Sequence, residues 1–160
     1  MDDTESLLTG LRVLVVDDVG FGLLLVSRML REMGCDEILS ANGGAQALTL
    51  LQGARAGAVD LVILDYHMPD LNGMMVARSI REGRTAAAKD LPIVMLTGDG
   101  DEKIVREAFH LRIDGFLVKP ISKALLGRRV LQAMANLPVQ RRLEFASEFR
   151  VAPSKTTKIG

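Results

Sequence analysis

Short apolar runs alternate with amphipathic stretches along this chain. Leu11 to Val16 (LRVLVV) is mostly apolar and β-branched, and it stops abruptly at Asp17-Asp18, as a strand buried on both faces does where it meets a polar rim. From Phe21 to Met33 the apolar positions Leu25, Val26, Met29, Leu30 and Met33 recur at helical spacing, and Gly34 supplies the stop. The unit then repeats with different residues. Glu37 to Ala41 predicts a strand, and Ala45 to Leu51 a helix opened by Asn42-Gly43-Gly44. Val59 to Leu64 (VDLVIL) predicts a strand followed by a helix over Gly73 to Arg81, and Leu91 to Leu96 (LPIVML) a strand followed by a helix over Asp101 to Leu111. Gly115 to Val118 and Ser122 to Leu137 complete the series, with Ser122 placed to cap the last helix.

Five strands therefore alternate with five helices, and no strand shows the clean polar–apolar alternation of an open antiparallel sheet. The pattern predicts the α/β class: a doubly wound five-stranded parallel sheet flanked by five helices. In such sheets functional groups gather outside the carboxyl ends of the strands, near the point where strand order reverses. Asp17 and Asp18 follow the first strand, Asp65 the third, Thr97 the fourth and Lys119-Pro120 the fifth, whereas the second delivers the uncharged Ser40, Ala41 and Asn42.

Three carboxylates gathered at one rim repel one another. At an effective dielectric near 20 and about 4 Å separation, each like-charge pair costs on the order of 4 kcal/mol. Lys119 neutralises part of that charge, and a hard divalent cation with oxygen ligands is the natural remainder: Mg²⁺, with Mn²⁺ as a second cation the same donors accept. Without a metal, one carboxyl should titrate high. The set also reads as a phosphoryl-transfer site, where positioning and charge neutralisation do most of the catalysis. Asp65 would be the nucleophile, and the metal, Lys119 and the Thr97 hydroxyl would each hold one phosphoryl oxygen. An aspartyl phosphate is a mixed anhydride that hydrolyses readily, which suits a reversible signal.

The pieces VLVVDD ending at Asp18, VILDYHMPDLNG around Asp65, VMLTGD around Thr97 and GFLVKP ending at Pro120 resemble the response-regulator receiver domain of two-component signalling. Their order and spacing span nearly all of residues 11 to 137. The resemblance implies a flavodoxin-like, CheY-like fold in a stand-alone response regulator. It implies that Asp65 is the phosphoacceptor, that Asp18 and the backbone carbonyl of His67 ligate Mg²⁺ with Asp65, and that Asp17 acts through metal-bound water. Thr97 matches the switch hydroxyl, Lys119 the phosphate-binding lysine, and Lys119-Pro120 an expected cis peptide. Phe116 matches the switch aromatic; lacking a hydroxyl, it would be buried on activation by apolar contact alone. His67 and Asp99 match positions that flank the attacking water and tune phosphoryl lifetime. The implied partners are a histidine kinase or histidine phosphotransfer protein upstream and an unidentified protein downstream, whose binding changes through the face carrying Phe116. The chain would catalyse only its own phosphorylation and dephosphorylation.

Composition refines this picture. The chain has 160 residues, a quarter of them charged, and no apolar run near the length of a membrane span. The opening Met1-Asp2-Asp3-Thr4-Glu5-Ser6 is acidic where a secretory signal would be basic, which points to the cytoplasm. Cys35 is the single cysteine, so neither an internal disulfide nor a thiolate zinc site is available; it reads as a small half-buried filler. The net charge of zero hides an asymmetry: residues 1–120 hold 12 Lys and Arg against 18 Asp and Glu, and residues 121–160 hold 8 against 2. Residues 1–10 read as an arm, 11–137 as the receiver, and 138–160 as a basic tail. That tail carries Arg141, Arg142 and Arg150 among Leu143, Phe145 and Phe149, and is too short for a DNA-binding module. Packing on the acidic receiver, in cis or in a homodimer, is the reading favoured over DNA.

Other features weigh less. The His67 side chain reads as solvent-facing, and His110 as surface. Gly98 beside Thr97 leaves room for a phosphodonor. Gly20 and Gly22 do not form a dinucleotide fingerprint, because two aspartates follow the strand. Leu23 and Leu24 fall off the expected core stripe of the first helix and are candidates to meet a partner or the tail. A haloacid-dehalogenase-type phosphohydrolase would want a second aspartate where His67 stands. An unphosphorylated interaction scaffold would not need the whole acidic set.

Overall fold

The computed structural model describes residues 8–53, 56–98 and 100–135. Strands β1 (Arg12–Val16), β2 (Glu37–Ala41), β3 (Leu61–Asp65), β4 (Ile93–Thr97) and β5 (Gly115–Val118) form one parallel sheet in the order β2-β1-β3-β4-β5. Helices α1 (Gly20–Glu32), α2 (Gly44–Gln52), α3 (Gly73–Arg81), α4 (Glu102–His110) and α5 (Lys123–Ala135) make the connections. The first crossover steps from β1 to β2 and the second returns past β1 to β3, so the order reverses between β1 and β3.

The apolar runs become strands because both of their faces are covered. Along β1, Leu14 and Val16 pack to one side with Ala47, Leu51 and Ile80, while Val13 and Val15 pack to the other with Leu30, Leu126 and Val130. The same division splits β3 into Val62 and Leu64 against Leu61 and Ile63, and β4 into Ile93 and Met95 against Val94 and Leu96. Fully burying each such side chain contributes about 1.5–3 kcal/mol. A one-residue register slip would invert every one of these assignments.

Element ends differ from the sequence reading in ways that have causes. β3 begins at Leu61, because Asp60 is occupied in a loop contact: its carboxylate accepts the Arg12 N–H at 2.9 Å and its own N–H donates to the Arg12 carbonyl at 2.8 Å. β3 and β4 each run one residue further than expected, so Asp65 and Thr97 are the last residues of their strands. Helix α1 turns Val26, Met29, Leu30 and Met33 to the core as expected, and differs in placing Leu23 and Ser27 inward and Leu25 outward. Leu23, Val26, Ser27 and Leu30 face inward at i, i+3, i+4 and i+7, whereas Leu25 is 38% exposed and Leu24 and Phe21 more so. A polar residue in the inward stripe, Ser27, hid the edge of that stripe from a reading based on apolar spacing alone. The exposed leucine pair is therefore Leu24 with Leu25, since Leu23 packs against the core.

Gly34 stops α1 as expected, taking φ 95° just after the Met33 cap, and Ser122 caps α5 by accepting the Leu125 N–H at 3.1 Å. Cys35 is fully rather than half buried, its thiol lying 3.4 Å from the Leu11 carbonyl oxygen. Leu8, within the segment read as an arm, is also fully buried and donates its N–H to the Met33 carbonyl at 2.9 Å. The basic tail lies outside the described residues. Among the described residues no helix is long and apolar enough to cross a membrane.

Candidate functional site

The site is assembled where the strand order reverses. Val16 pairs with Leu64, so one step further along the strands Asp17 stands beside Asp65, and Asp65 in turn pairs with Leu96, next to Thr97. Thr97 pairs with Val118, and its carbonyl accepts the Lys119 N–H at 2.7 Å. The Lys119-Pro120 peptide is cis, as expected from the sequence. Strand register alone thus brings Asp17, Asp65, Thr97 and Lys119 to one edge.

The side chains converge. One carboxylate oxygen from each of Asp17, Asp18 and Asp65 lies within 4.8 Å of the others. Asp17, Asp65 and Thr97 are buried, while Asp18 is exposed. Lys119 crosses above β4 to place its ammonium 2.7 Å from Asp65 Oδ1 and 3.8 Å from Asp17 Oδ2. Burial is the main force raising the Asp65 pKa; the neighbouring Asp17 and Asp18 charges add to it, and the Lys119 bond opposes it without cancelling it. Burial works against the Lys119 ammonium too, but the Asp65 hydrogen bond and the surrounding carboxylates hold its pKa above the ordinary value. The expectation that one carboxyl of the metal-free set titrates high is met at Asp65.

The donor set fits a hard cation. Asp17 Oδ1 accepts the Val19 N–H at 3.0 Å, but its buried Oδ2 has no hydrogen-bond partner among the described residues. A buried carboxylate oxygen met only by an ammonium 3.8 Å away is incompletely satisfied, and three convergent carboxylates suit Mg²⁺ with waters or phosphate oxygens completing its shell.

The remaining residues singled out from the sequence lie around this centre. His67 has an exposed side chain, with its ring edge-on to Tyr66 at 4.8 Å between centroids. A side chain at Gly98 would meet no atom within 4 Å, so the approach beside Thr97 is open. Phe116 is half-buried against the core on the α2, α3 and α4 side of the sheet. Asp99 lies outside the described residues.

Three supporting residues were not singled out from the sequence. Gly73 begins α3 against the backbone of Asp65: a Cβ there would stand 2.5 Å from the Asp65 carbonyl oxygen and 2.8 Å from Met95 Sδ. Asn72 caps the same helix, its side chain accepting the Met75 N–H at 2.9 Å. The Asn-Gly pair is a helix-start signal that could have been read. Asp70 reaches across to α2, accepting the Ala45 N–H at 3.0 Å and the Gly44 N–H at 3.4 Å, and these backbone bonds, that of Ala45 foremost, lower its pKa. Nothing local in the sequence announces that contact.

A family model described as the response regulator receiver domain matches residues 13–131. The chemotaxis protein CheY-3 of Vibrio cholerae is 29% identical over 120 residues, spanning 75% of this chain and 88% of that protein. The solved structure of V. cholerae CheY4 at low pH has a TM-score of 0.67 and 30% identity, covering 77% of this chain and 98% of its own. The CheX–CheY–BeF₃–Mg²⁺ complex of Borrelia burgdorferi contains a similar chain, with a TM-score of 0.68 and 26% identity over 76% of this chain and 87% of that one.

Proposed function

This chain belongs to the response regulator receiver domain family, and we propose that it accepts a phosphoryl group on Asp65 from a histidine kinase or phosphotransfer protein in a Mg²⁺-dependent reaction. The observation that carries this reading is the pairing of buried Asp65 with Lys119 at 2.7 Å inside a cluster of three carboxylates.

In this reading an Asp65 carboxylate oxygen attacks the phosphorus of the donor's phosphohistidine; the P–N bond breaks and the leaving imidazole takes up a proton. Lys119 steadies one equatorial oxygen and the Thr97 hydroxyl another. Asp18, Asp65 and the His67 carbonyl would ligate Mg²⁺, with Asp17 acting through water. When bound, the ion neutralises charge on the carboxylates and on the transferred group. Moving Lys119 and Thr97 towards the new phosphoryl oxygens pulls on the ends of β4 and β5, and Phe116, half-buried on β5, would carry that change to a downstream protein. His67 and Asp99 would set how readily water reaches the acyl phosphate. The reading also implies a cytoplasmic setting, where such donors act.

Incubation with acetyl phosphate and Mg²⁺, followed by intact-mass measurement, tests this directly. The expected result is a gain of one phosphoryl group that chelation of Mg²⁺ and Asp65→Asn both abolish. Persistent phosphorylation of Asp65→Asn, or none in the wild type, refutes it. Turnover of external phosphate esters would instead indicate a phosphohydrolase.

A further inference from the structure

The glycine in the first turn of α1 at position 22 is packed against the metal cluster. A Cβ built there would run into Asp17 Oδ2, the same oxygen that is buried without a hydrogen-bond partner among the described residues. Gly20, two residues earlier in the same turn, is different: a Cβ there meets nothing within 4 Å. We propose that Gly22 is a positioning residue for the divalent cation, its lack of a side chain allowing α1 to close on Asp17 while that carboxylate stays grouped with Asp18 and Asp65.

The inference rests on the Mg²⁺ reading of the carboxylate cluster given above. The Asp17 carboxylate is held between Val19, the residue that caps α1, and the first turn of that helix. Oδ1 accepts the Val19 N–H at 3.0 Å, and Oδ2 occupies the space that a side chain at Gly22 would need. Asp17 is also buried, so its carboxylate has little room to swing aside. A methyl group at position 22 leaves two exits. Either the carboxylate rotates, which breaks the Val19 bond and moves Oδ2 from its place beside Lys119, or α1 moves outward, taking Leu23 and Val26 off the core they pack against. Both exits spoil the grouping of the three carboxylates.

Helix preference runs the other way. Alanine is favoured over glycine inside a helix, so a substitution at position 22 that weakens metal binding without weakening the metal-free fold separates positioning from ordinary packing.

The test is Mg²⁺ affinity of the full chain by titration calorimetry, alongside melting of the metal-free protein. Gly22→Ala is expected to weaken Mg²⁺ roughly ten- to hundredfold, the range seen when a ligand's supporting contact is lost. Gly20→Ala is expected to bind as the wild type does. Asp17→Ala and the double variant Asp17→Ala with Gly22→Ala are expected to share one affinity, because the atom the methyl group meets is gone from both. Wild-type affinity in Gly22→Ala, or a Gly22→Ala penalty that persists without Asp17, overturns the inference. If Gly22→Ala does not fold, recovery of folding in the double variant supports the contact, and failure to recover overturns it. Absence of Mg²⁺ binding by the wild type removes the metal reading itself, a result distinct from the others.

Discussion

Lys119 pairs with Asp65 across an intervening strand, its ammonium 2.7 Å from Oδ1 while Asp17 Oδ2 stands 3.8 Å away. One partly exposed cation thus stabilises two buried carboxylates. Lys119→Met should lower the stability of the metal-free protein by about 1 kcal/mol at neutral pH, a modest figure because solvent screens this ammonium. It should slow phosphorylation by acetyl phosphate far more, by roughly 10²-fold, the usual loss when one donor to a developing anion is removed. Urea unfolding and initial phosphorylation rates measure the two effects separately.

Asp65→Asn should make the metal-free protein more stable. The folded-state pKa of Asp65 is raised, chiefly by burial, so the unfolded chain releases this proton first as pH rises. The stability this group contributes is complete below the ordinary carboxylate pKa and is lost as pH climbs through the raised one. A neutral amide removes that loss, so the variant's advantage in melting temperature should be present at pH 7 and shrink on acidification. A functional group held at a cost to the fold is the expected pattern for a working site.

Mg²⁺ should raise the melting temperature of the wild type and leave Asp65→Asn nearly unmoved. At tenfold excess over its dissociation constant, a ligand confined to the folded state adds about 1.4 kcal/mol. Addition of EDTA should reverse the shift.

Far from the site, Arg81 ties three segments together. Its guanidinium donates to the carbonyls of Lys89, Leu91, Leu111 and Arg112 and pairs with Asp114 at 3.1 Å. The side chain is almost wholly buried, and Asp114 also accepts the Ile93 N–H that begins β4. Arg81→Met leaves these acceptors unmet and should cost about 3 kcal/mol. Arg81→Lys should recover little of that loss, since an ammonium cannot reach acceptors spread around a planar fork. Thermal unfolding of both variants checks the ranking.

Much of this architecture was legible because strands covered on both faces are written as unbroken apolar runs, and the polar residue that ends each run marks the rim. Asp17, Asp65, Thr97 and Lys119 could be placed from that feature alone. What escaped was anything decided by distance in space. Asp70 bonds α2 across 25 residues, Gly73 is constrained by the Asp65 carbonyl, and Arg81 gathers carbonyls from two loops. The edge of the α1 stripe was misplaced, with Leu25 expected inward instead of Leu23, because buried Ser27 looks like a surface residue in a hydropathy pattern. Leu24 and Leu25, not Leu23, are the exposed pair available to a partner.

Cys35 offers a check on that packing. Burial pushes its thiol up from 9.0 to about 11, against the smaller opposing effect of its bond to the Glu37 carbonyl. The native thiol should react slowly with disulfide reagents at pH 8 and rapidly once urea unfolds the chain. Because the folded pKa is the higher one, the stability tied to this group is intact below about pH 9 and is lost as pH rises through about 11. Cys35→Ala should flatten that alkaline decline.

The central claim is that Asp65 itself carries the phosphoryl group. Borohydride reduces an aspartyl phosphate to homoserine, so treatment of phosphorylated protein with tritiated borohydride, followed by peptide mapping, locates the acceptor. The account predicts label at position 65, dependent on Mg²⁺ and strongly reduced in Lys119→Met. Label at Asp17, Asp18 or a residue outside the cluster, or none in a protein that has gained phosphoryl mass, would contradict it.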